Sequence, residues 1–168
     1  MPSSQYHVRA ARTADVPAIQ VLRAPDEGRV LLHHELVSLY EKLPEFRVVI
    51  DAQGRVVGAG ALHVMWSDLA EVRSIVVDGS LRGHGIGALL LESLLDQARE
   101  IGIARVFCLT FETGFFGRHG FVEISDVPVD EATFAELARS TDDGVAEFLD
   151  LARVKENTLG NTRMLRLL

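Results

Sequence analysis

Arg82-Gly83-His84-Gly85-Ile86-Gly87 decides how this chain is read. The segment follows an apolar run of strand character, Val72-Arg73-Ser74-Ile75-Val76-Val77. It opens a helical run beginning Ala88-Leu89-Leu90-Leu91-Glu92-Ser93-Leu94-Leu95. Glycines at a strand-to-helix turn adopt backbone conformations closed to other residues and let a ligand come close. The amides of the first helical turn have no partner within the helix and carry the positive end of its dipole. Such a turn suits a phosphate or pyrophosphate. Two other phosphate loops fail on spacing. The nucleoside triphosphate loop ends in Gly-Lys-Ser/Thr, where this chain has Gly87-Ala88-Leu89, and Gly83, Gly85 and Gly87 do not fit the dinucleotide pattern Gly-x-Gly-x-x-Gly.

Strand and helix signals alternate outward from the loop. Upstream, Phe46 to Ile50 and Val56 to Leu62 flank the turn Asp51-Ala52-Gln53-Gly54, which predicts a hairpin. Val8 to Ala11 reads as a short strand and Thr13-Ala14-Asp15 as a helix start before Val16 and Ile19. Leu31 to Tyr40 reads as a second helix, stopped near Pro44. Downstream, the helix after the loop is expected to reach about Ile101 and stop at Gly102. Val106 to Thr110 is a strand, expected to run parallel to Glu71–Val77 because a helix joins them. A short helix around Gly114 to His119, an extended Gly120-Phe121-Val122, a helix over Glu131–Arg139 and a strand over Val145–Leu151 follow. A basic, Asn-containing tail closes the chain. No repeat or linker divides it, so residues 1–168 are expected to form one mixed α/β domain.

Composition narrows the function classes. The 168 residues suffice for one sizeable core, and 48% hydrophobic with 24% charged residues is the balance of a soluble globular protein. A net charge of -7 argues against nucleic acid or an anionic membrane as partner, since both favour a basic surface. Cys108 is the single cysteine, which excludes an intrachain disulfide and a cysteine-held zinc; it reads as a buried core thiol. Met1-Pro2-Ser3-Ser4-Gln5 lacks the features of a signal peptide and no run reaches transmembrane length, so a cytoplasmic location is the expectation.

Residues 46 to 124 resemble the GCN5-related N-acetyltransferase (GNAT) superfamily. The resemblance rests on the order of the pieces: hairpin, strand, Arg-x-x-Gly-x-Gly at Arg82 to Gly87, long helix, strand, short helix, and Phe115-Phe116-Gly117-Arg118-His119-Gly120-Phe121. It implies an α/β (α+β type) fold: a single domain with a mixed central sheet, flanked by helices, in which two parallel strands splay apart. It also implies acetyl-CoA as co-substrate and no metal. The backbone amides of Arg82, Gly83, His84, Gly85, Ile86 and Gly87, with Ala88 opening the helix, would hold the pyrophosphate, and the Arg82 side chain would lie near the phosphates. The backbone of Ile75, Val76 and Val77 would pair with the pantetheine arm as an added strand. Phe116 falls at an aromatic position on the cofactor side.

Acetyl transfer to an amine needs a neutral nucleophile, a stabilised oxyanion and a proton for the leaving thiolate. Strand alternation puts Glu71, Arg73, Ile75 and Val77 on one face, and Val72, Ser74 and Val76 on the other. Glu71 opens the strand before the loop, where related acetyltransferases often carry a basic carboxylate; a surface glutamate paired with Arg73 is the plain alternative. Many superfamily members protonate the thiolate with a tyrosine of the short helix, but Phe115 and Phe116 stand there. Thr110 is the substitute chosen here, with His119 a lesser candidate.

The stretches Glu71 to Val77, Ala98 to Gly102, Arg105 to Thr110 and Glu112 to Phe116 resemble the acetyltransferase domain of N-acetylglutamate synthases. That likeness implies a free amino acid as acceptor, L-glutamate or L-glutamine, at the first step of arginine biosynthesis. Glu71 would be the base and Thr110 would match a hydroxyl residue proposed as the acid. Arg73 is the first choice for the acceptor's carboxylates, followed by Lys155, Asn157 and Arg163 of the tail. An arginine on a C-terminal strand suits bidentate carboxylate binding. His33, beside His34, lies where this fold builds its acceptor pocket. Other acceptors remain open, namely a protein N-terminus, a lysine or a small amine, as does a non-catalytic acyl-CoA sensor. A homodimer is common among such domains.

Overall fold

The computed structural model describes residues 5–25, 36–151 and 161–168. The alternating apolar runs become strands β1 (Tyr6–Ala10), β2 (Phe46–Asp51), β3 (Val56–Trp66), β4 (Leu69–Val77), β5 (Arg105–Thr110), β6 (Val122–Glu123) and β7 (Thr162–Leu167). They form one open, mixed sheet in the order β1-β2-β3-β4-β5-β7-β6. The helices are α1 (Val16–Arg23), α2 (Leu36–Glu41), α3 (Ile86–Glu100), α4 (Thr113–Arg118), α5 (Glu131–Leu137) and α6 (Asp143–Phe148). Contacts divide the chain into two compact units, Met1–His63 with Val72–Gln97, and Val64–Glu71 with Ala98–Leu168.

In the first unit the expected hairpin forms. β2 pairs antiparallel with β3 across a turn in which Asp51 accepts the amides of Gln53 and Arg55, both at 2.9 Å. β1 adds antiparallel on the other side of β2. Asp15 ties β1 to α1: it pairs with Arg9 at 2.7 Å and accepts the Arg12 amide at 2.7 Å. Those bonds hold its carboxyl below the usual range. Val16, Ile19, Leu39, Phe46, Val48, Ile50, Ala59, Ala61 and Val76 form the core. Each large apolar side chain buried there contributes about 1.5–3 kcal/mol. Glycines of β3 let α3 lie close. A Cβ built on Gly60 would stand 3.1 Å from Leu90 and 3.2 Å from Leu94, and one on Gly58 would stand 3.0 Å from Ile86.

In the second unit β4 and β5 run parallel, as the intervening helix predicts, paired through Leu69–Arg105, Ala70–Val106 and Glu71–Phe107. The pairing ends there, although β4 continues to Val77 and β5 to Thr110. β7 pairs antiparallel with β5 along its full length. Met65, Leu69, Phe107, Leu137, Val145, Phe148 and Leu149 form this unit's core.

One element corrects the sequence reading: Val145–Leu151 is not a strand. Asp142 accepts the Val145 amide at 3.0 Å and caps α6 over Asp143–Phe148. Val145, Ala146, Phe148 and Leu149 are buried at the spacing of a helix turned inward. The second helix is described only over Leu36–Glu41.

Candidate active site

The loop geometry matches the expectation. Gly83 and Gly85 take φ of +83° and +79°, the left-handed region open to glycine, and a Cβ on either would meet nothing within 4 Å. Arg82, Gly83, His84 and Gly85 are exposed, whereas Ile86 is buried and anchors the first turn of α3. Leu89 makes the first helical bond, to Gly85 O at 3.0 Å. The amides of Ile86, Gly87 and Ala88 therefore precede any possible helical acceptor. The His84 amide instead turns back to Leu81 O at 3.4 Å, and its ring Nδ1 donates to the same carbonyl at 2.9 Å. Asp78 stiffens the approach by accepting the Ser80 amide and hydroxyl, at 2.9 and 2.7 Å. An open glycine turn at the positive end of a 15-residue helix fits a pyrophosphate.

Between this loop and Glu71, β4 is not regular. Ser74 has φ of +60°, which costs a non-glycine residue about 1–2 kcal/mol. Period-two alternation does not pass through such a residue, so the parity counted from Glu71 does not extend to Ile75 and Val77. Val76 joins the core with Ala59 and Ala61, while Ile75 lies against Gly60 beside Leu90 and Leu94. Strain of this kind concentrates at functional sites.

Glu71 holds the last position of the β4–β5 register and is 6% exposed. Directly paired residues share a face, so Glu71 projects to the side of Phe107. The Phe107 ring meets Phe148 of α6 edge-on at 5.2 Å. Arg163 of β7 lies with Cζ 5.9 Å from the Phe107 centroid. It donates from Nε to Glu147 O at 3.3 Å and from Nη2 to Phe148 O. Two donors of its fork, Nε and Nη2, thus satisfy the carbonyls at the end of α6 and orient the guanidinium on β7.

The same fastening seats a carboxylate that the sequence reading missed. Glu147 is 6% exposed, and its Oε1 has no hydrogen-bond partner among the described residues. Burial, then the charges of Glu71, Asp143 and Asp150, push its carboxyl up to about 7, against the pull of Arg163. The available signal was the Ser140-Thr141-Asp142 cap before the apolar run.

Thr110 is buried, and its Oγ1 accepts the Glu112 amide at 2.7 Å while its O–H remains a donor. Three residues past Phe107, it alternates to the face opposite Glu71. Phe116 is 7% exposed and packs edge-on with Phe115 and Phe121 at 5.1 and 5.2 Å, so its ring serves to hold α4. His119 lies beside Phe115, and its carbonyl accepts from Arg166 at 2.7 Å. Burial and the nearby Glu71 push the Cys108 thiol well up, as befits an inert core cysteine. Arg73 is half-buried on β4. His33, His34, Lys155 and Asn157 lie outside the described residues.

Comparison with known proteins agrees with this arrangement. The chain is 55% identical over 163 residues to the amino-acid acetyltransferase of Mycobacterium tuberculosis, covering 96% of this chain and 94% of that protein. The crystal structure of Rv2747 from Mycobacterium tuberculosis, in complex with CoA and NLQ, superposes with a TM-score of 0.94, covering 96% and 99% of the two chains at 55% identity. N-acetylglutamate synthase from Neisseria gonorrhoeae, complexed with coenzyme A and N-acetyl-glutamate, is 26% identical with a TM-score of 0.76. That match takes in 97% of this chain but 35% of the synthase. The profile of the Acetyltransferase (GNAT) family matches residues 16–121. With the parallel pair, the glycine turn and the buried glutamate in place, the chain belongs to the acetyltransferase (GNAT) family.

Proposed function

We propose that this protein transfers the acetyl group of acetyl-CoA directly to the α-amine of a free amino acid, L-glutamate or L-glutamine, with Glu71 as general base. The observation that carries the reading is Glu71, 94% withdrawn from solvent where the β4–β5 pairing ends. The likeness to an amino-acid acetyltransferase along nearly the whole chain supports the acceptor class. The Neisseria synthase bound to N-acetyl-glutamate supports glutamate, and with it the first step of arginine biosynthesis; a biosynthetic role of that kind places the enzyme in the cytoplasm.

Acetyl-CoA supplies the acetyl group as an activated thioester. The glycine turn and the amides of Ile86, Gly87 and Ala88 hold its pyrophosphate, with Arg82 alongside. The backbone of Ile75, Val76 and Val77 pairs with the pantetheine arm. Glu71 takes a proton from the acceptor's ammonium and frees the nitrogen lone pair for the carbonyl carbon. As the C–N bond forms and the C–S bond breaks, Thr110 gives a hydrogen bond to the departing sulfur, which takes up, as the thiol of CoA, the second proton the nitrogen sheds on becoming an amide. Base and acid act on different atoms of the reacting centre, the attacking nitrogen and the departing sulfur. Arg73 takes an acceptor carboxylate. The whole chain, residues 1–168, acts as one acetyltransferase domain.

A CoA-release assay with acetyl-CoA and each free amino acid, several polyamines and a lysine peptide tests the reading. Turnover confined to glutamate or glutamine is the expected result. Turnover with polyamine or peptide alone overturns the acceptor, and CoA binding without turnover points to a sensor.

A further inference from the structure

We propose that Glu147 is a second carboxylate of the acceptor subsite, whose Oε1 takes one N–H of the amino acid's ammonium group while Glu71 takes the proton lost in the transfer. The proposal rests on the acetyltransferase reading above and deepens it.

The placement follows from the strand register. Glu71 and Phe107 are directly paired, so both project from one side of the sheet. The Phe148 ring lies edge-on to Phe107, and Arg163 binds the carbonyls of both Glu147 and Phe148. The end of α6 is thus fastened on the side of the sheet that carries Glu71. There Glu147 is 94% buried, with Oε1 unpartnered among the described residues. A buried acceptor left unsatisfied costs about 1–3 kcal/mol, so the fold retains this carboxylate against a penalty.

The charges around it select the ligand. Glu71 faces Glu147 from β4, Asp143 from its own helix and Asp150 from the turn beyond. Arg163 of β7 is the facing cation, and it commits two donors to backbone carbonyls. A small cation with several N–H donors relieves the repulsion between the two glutamates and satisfies the orphan oxygen together. A primary ammonium has that chemistry; a carboxylate or a neutral amide does not. Because Glu147 holds its proton up to about pH 7, binding the ammonium releases that proton to solvent.

The test is calorimetric titration of L-glutamate and L-glutamine into the CoA-bound protein at pH 6 and pH 8, in buffers of different ionisation heat. Alongside it, KM is measured for the amino acid and for acetyl-CoA. A group titrating near pH 7 makes acceptor binding about tenfold weaker at pH 6 than at pH 8, with proton uptake by the buffer at pH 6. Glu147→Gln abolishes both the pH dependence and the proton release. It raises the amino-acid KM at pH 8 about tenfold or more and leaves that of acetyl-CoA unchanged. Glu71→Gln retains the release, displaced to lower pH because the neighbouring charge is gone.

A folded Glu147→Gln protein with the wild-type pH dependence overturns the proposal while leaving the acetyltransferase reading intact. A wild-type protein that acetylates no amino acid overturns both. If Glu147→Gln does not fold, the wild-type protein decides alone: no proton release on acceptor binding at pH 6 overturns the role of Glu147.

Discussion

Glu71 stands directly opposite Phe107 in the last pair of the parallel β4–β5 register. Beyond that pair β4 is diverted by Ser74, at φ +60°, while β5 continues to Thr110 alongside β7. The proposed base is therefore set on regular backbone whose neighbours are fixed, immediately before the backbone becomes irregular. Rigid elements hold a reacting side chain more precisely than loops do.

Replacing Glu71 with glutamine keeps the volume and removes the basicity. General-base catalysis contributes about 10²–10⁴ in rate, so kcat is expected to fall within that range while the dissociation constant for CoA stays within about twofold. Steady-state kinetics with equilibrium CoA binding checks this. An unchanged kcat assigns the base elsewhere.

What the sequence made legible was local. The turn at Asp51 to Gly54 announced the hairpin, and a helix between two strands forced them parallel. The glycine spacing located the strand-to-helix turn, because glycine takes most readily the positive φ found at Gly83 and Gly85. Ser74 gave no such warning: its positive φ is imposed by tertiary context on a residue that does not prefer it. The segment from Val145 misled for another reason. A short apolar run has no decisive period, and the Asp142 cap settles it as a helix. Glu147 vanished with that error, and so did the true partners of Arg163, which exist only once α6 ends beside β7.

Gly85→Ala tests the loop apart from the chemistry. Its Cβ would meet nothing within 4 Å, so the cost is the φ of +79° and not a collision. A left-handed alanine costs about 1–2 kcal/mol. If the backbone relaxes to avoid that cost, the amides after it lose their aim. The expected outcome is an acetyl-CoA KM raised about tenfold with the amino-acid KM little changed, read from initial rates with each substrate varied. An effect confined to the amino acid removes the pyrophosphate from this turn.

Thr110 separates two roles that one hydroxyl can play. Its oxygen accepts the Glu112 amide, and its hydrogen is the proposed donor to sulfur. Thr110→Val loses both, while Thr110→Ser restores both. Loss of a hydrogen bond that strengthens in the transition state costs about 1.5–3 kcal/mol, so kcat for valine is expected to drop about 10- to 100-fold and serine to recover most of it. A purely structural threonine would instead lower the melting temperature of the valine variant and leave kcat near wild type.

Glu147 also makes a prediction about stability, with a definite sign. Its carboxyl titrates near 7 in the folded protein against 4.5 for the exposed group, so the native state binds the extra proton between those values. Stability from this group is complete below about pH 4.5 and is lost as pH rises through about 7. Glutamine at this position carries no such dependence. From pH 5 to pH 8 the Glu147→Gln variant should gain about 2–3 kcal/mol relative to wild type, equivalent to several degrees in melting temperature. Paired denaturation curves across that range measure it. Parallel curves for the two proteins would show that Glu147 ionises in the fold as freely as in water, and would remove the physical basis for a carboxylate that gives up its proton to an arriving ammonium.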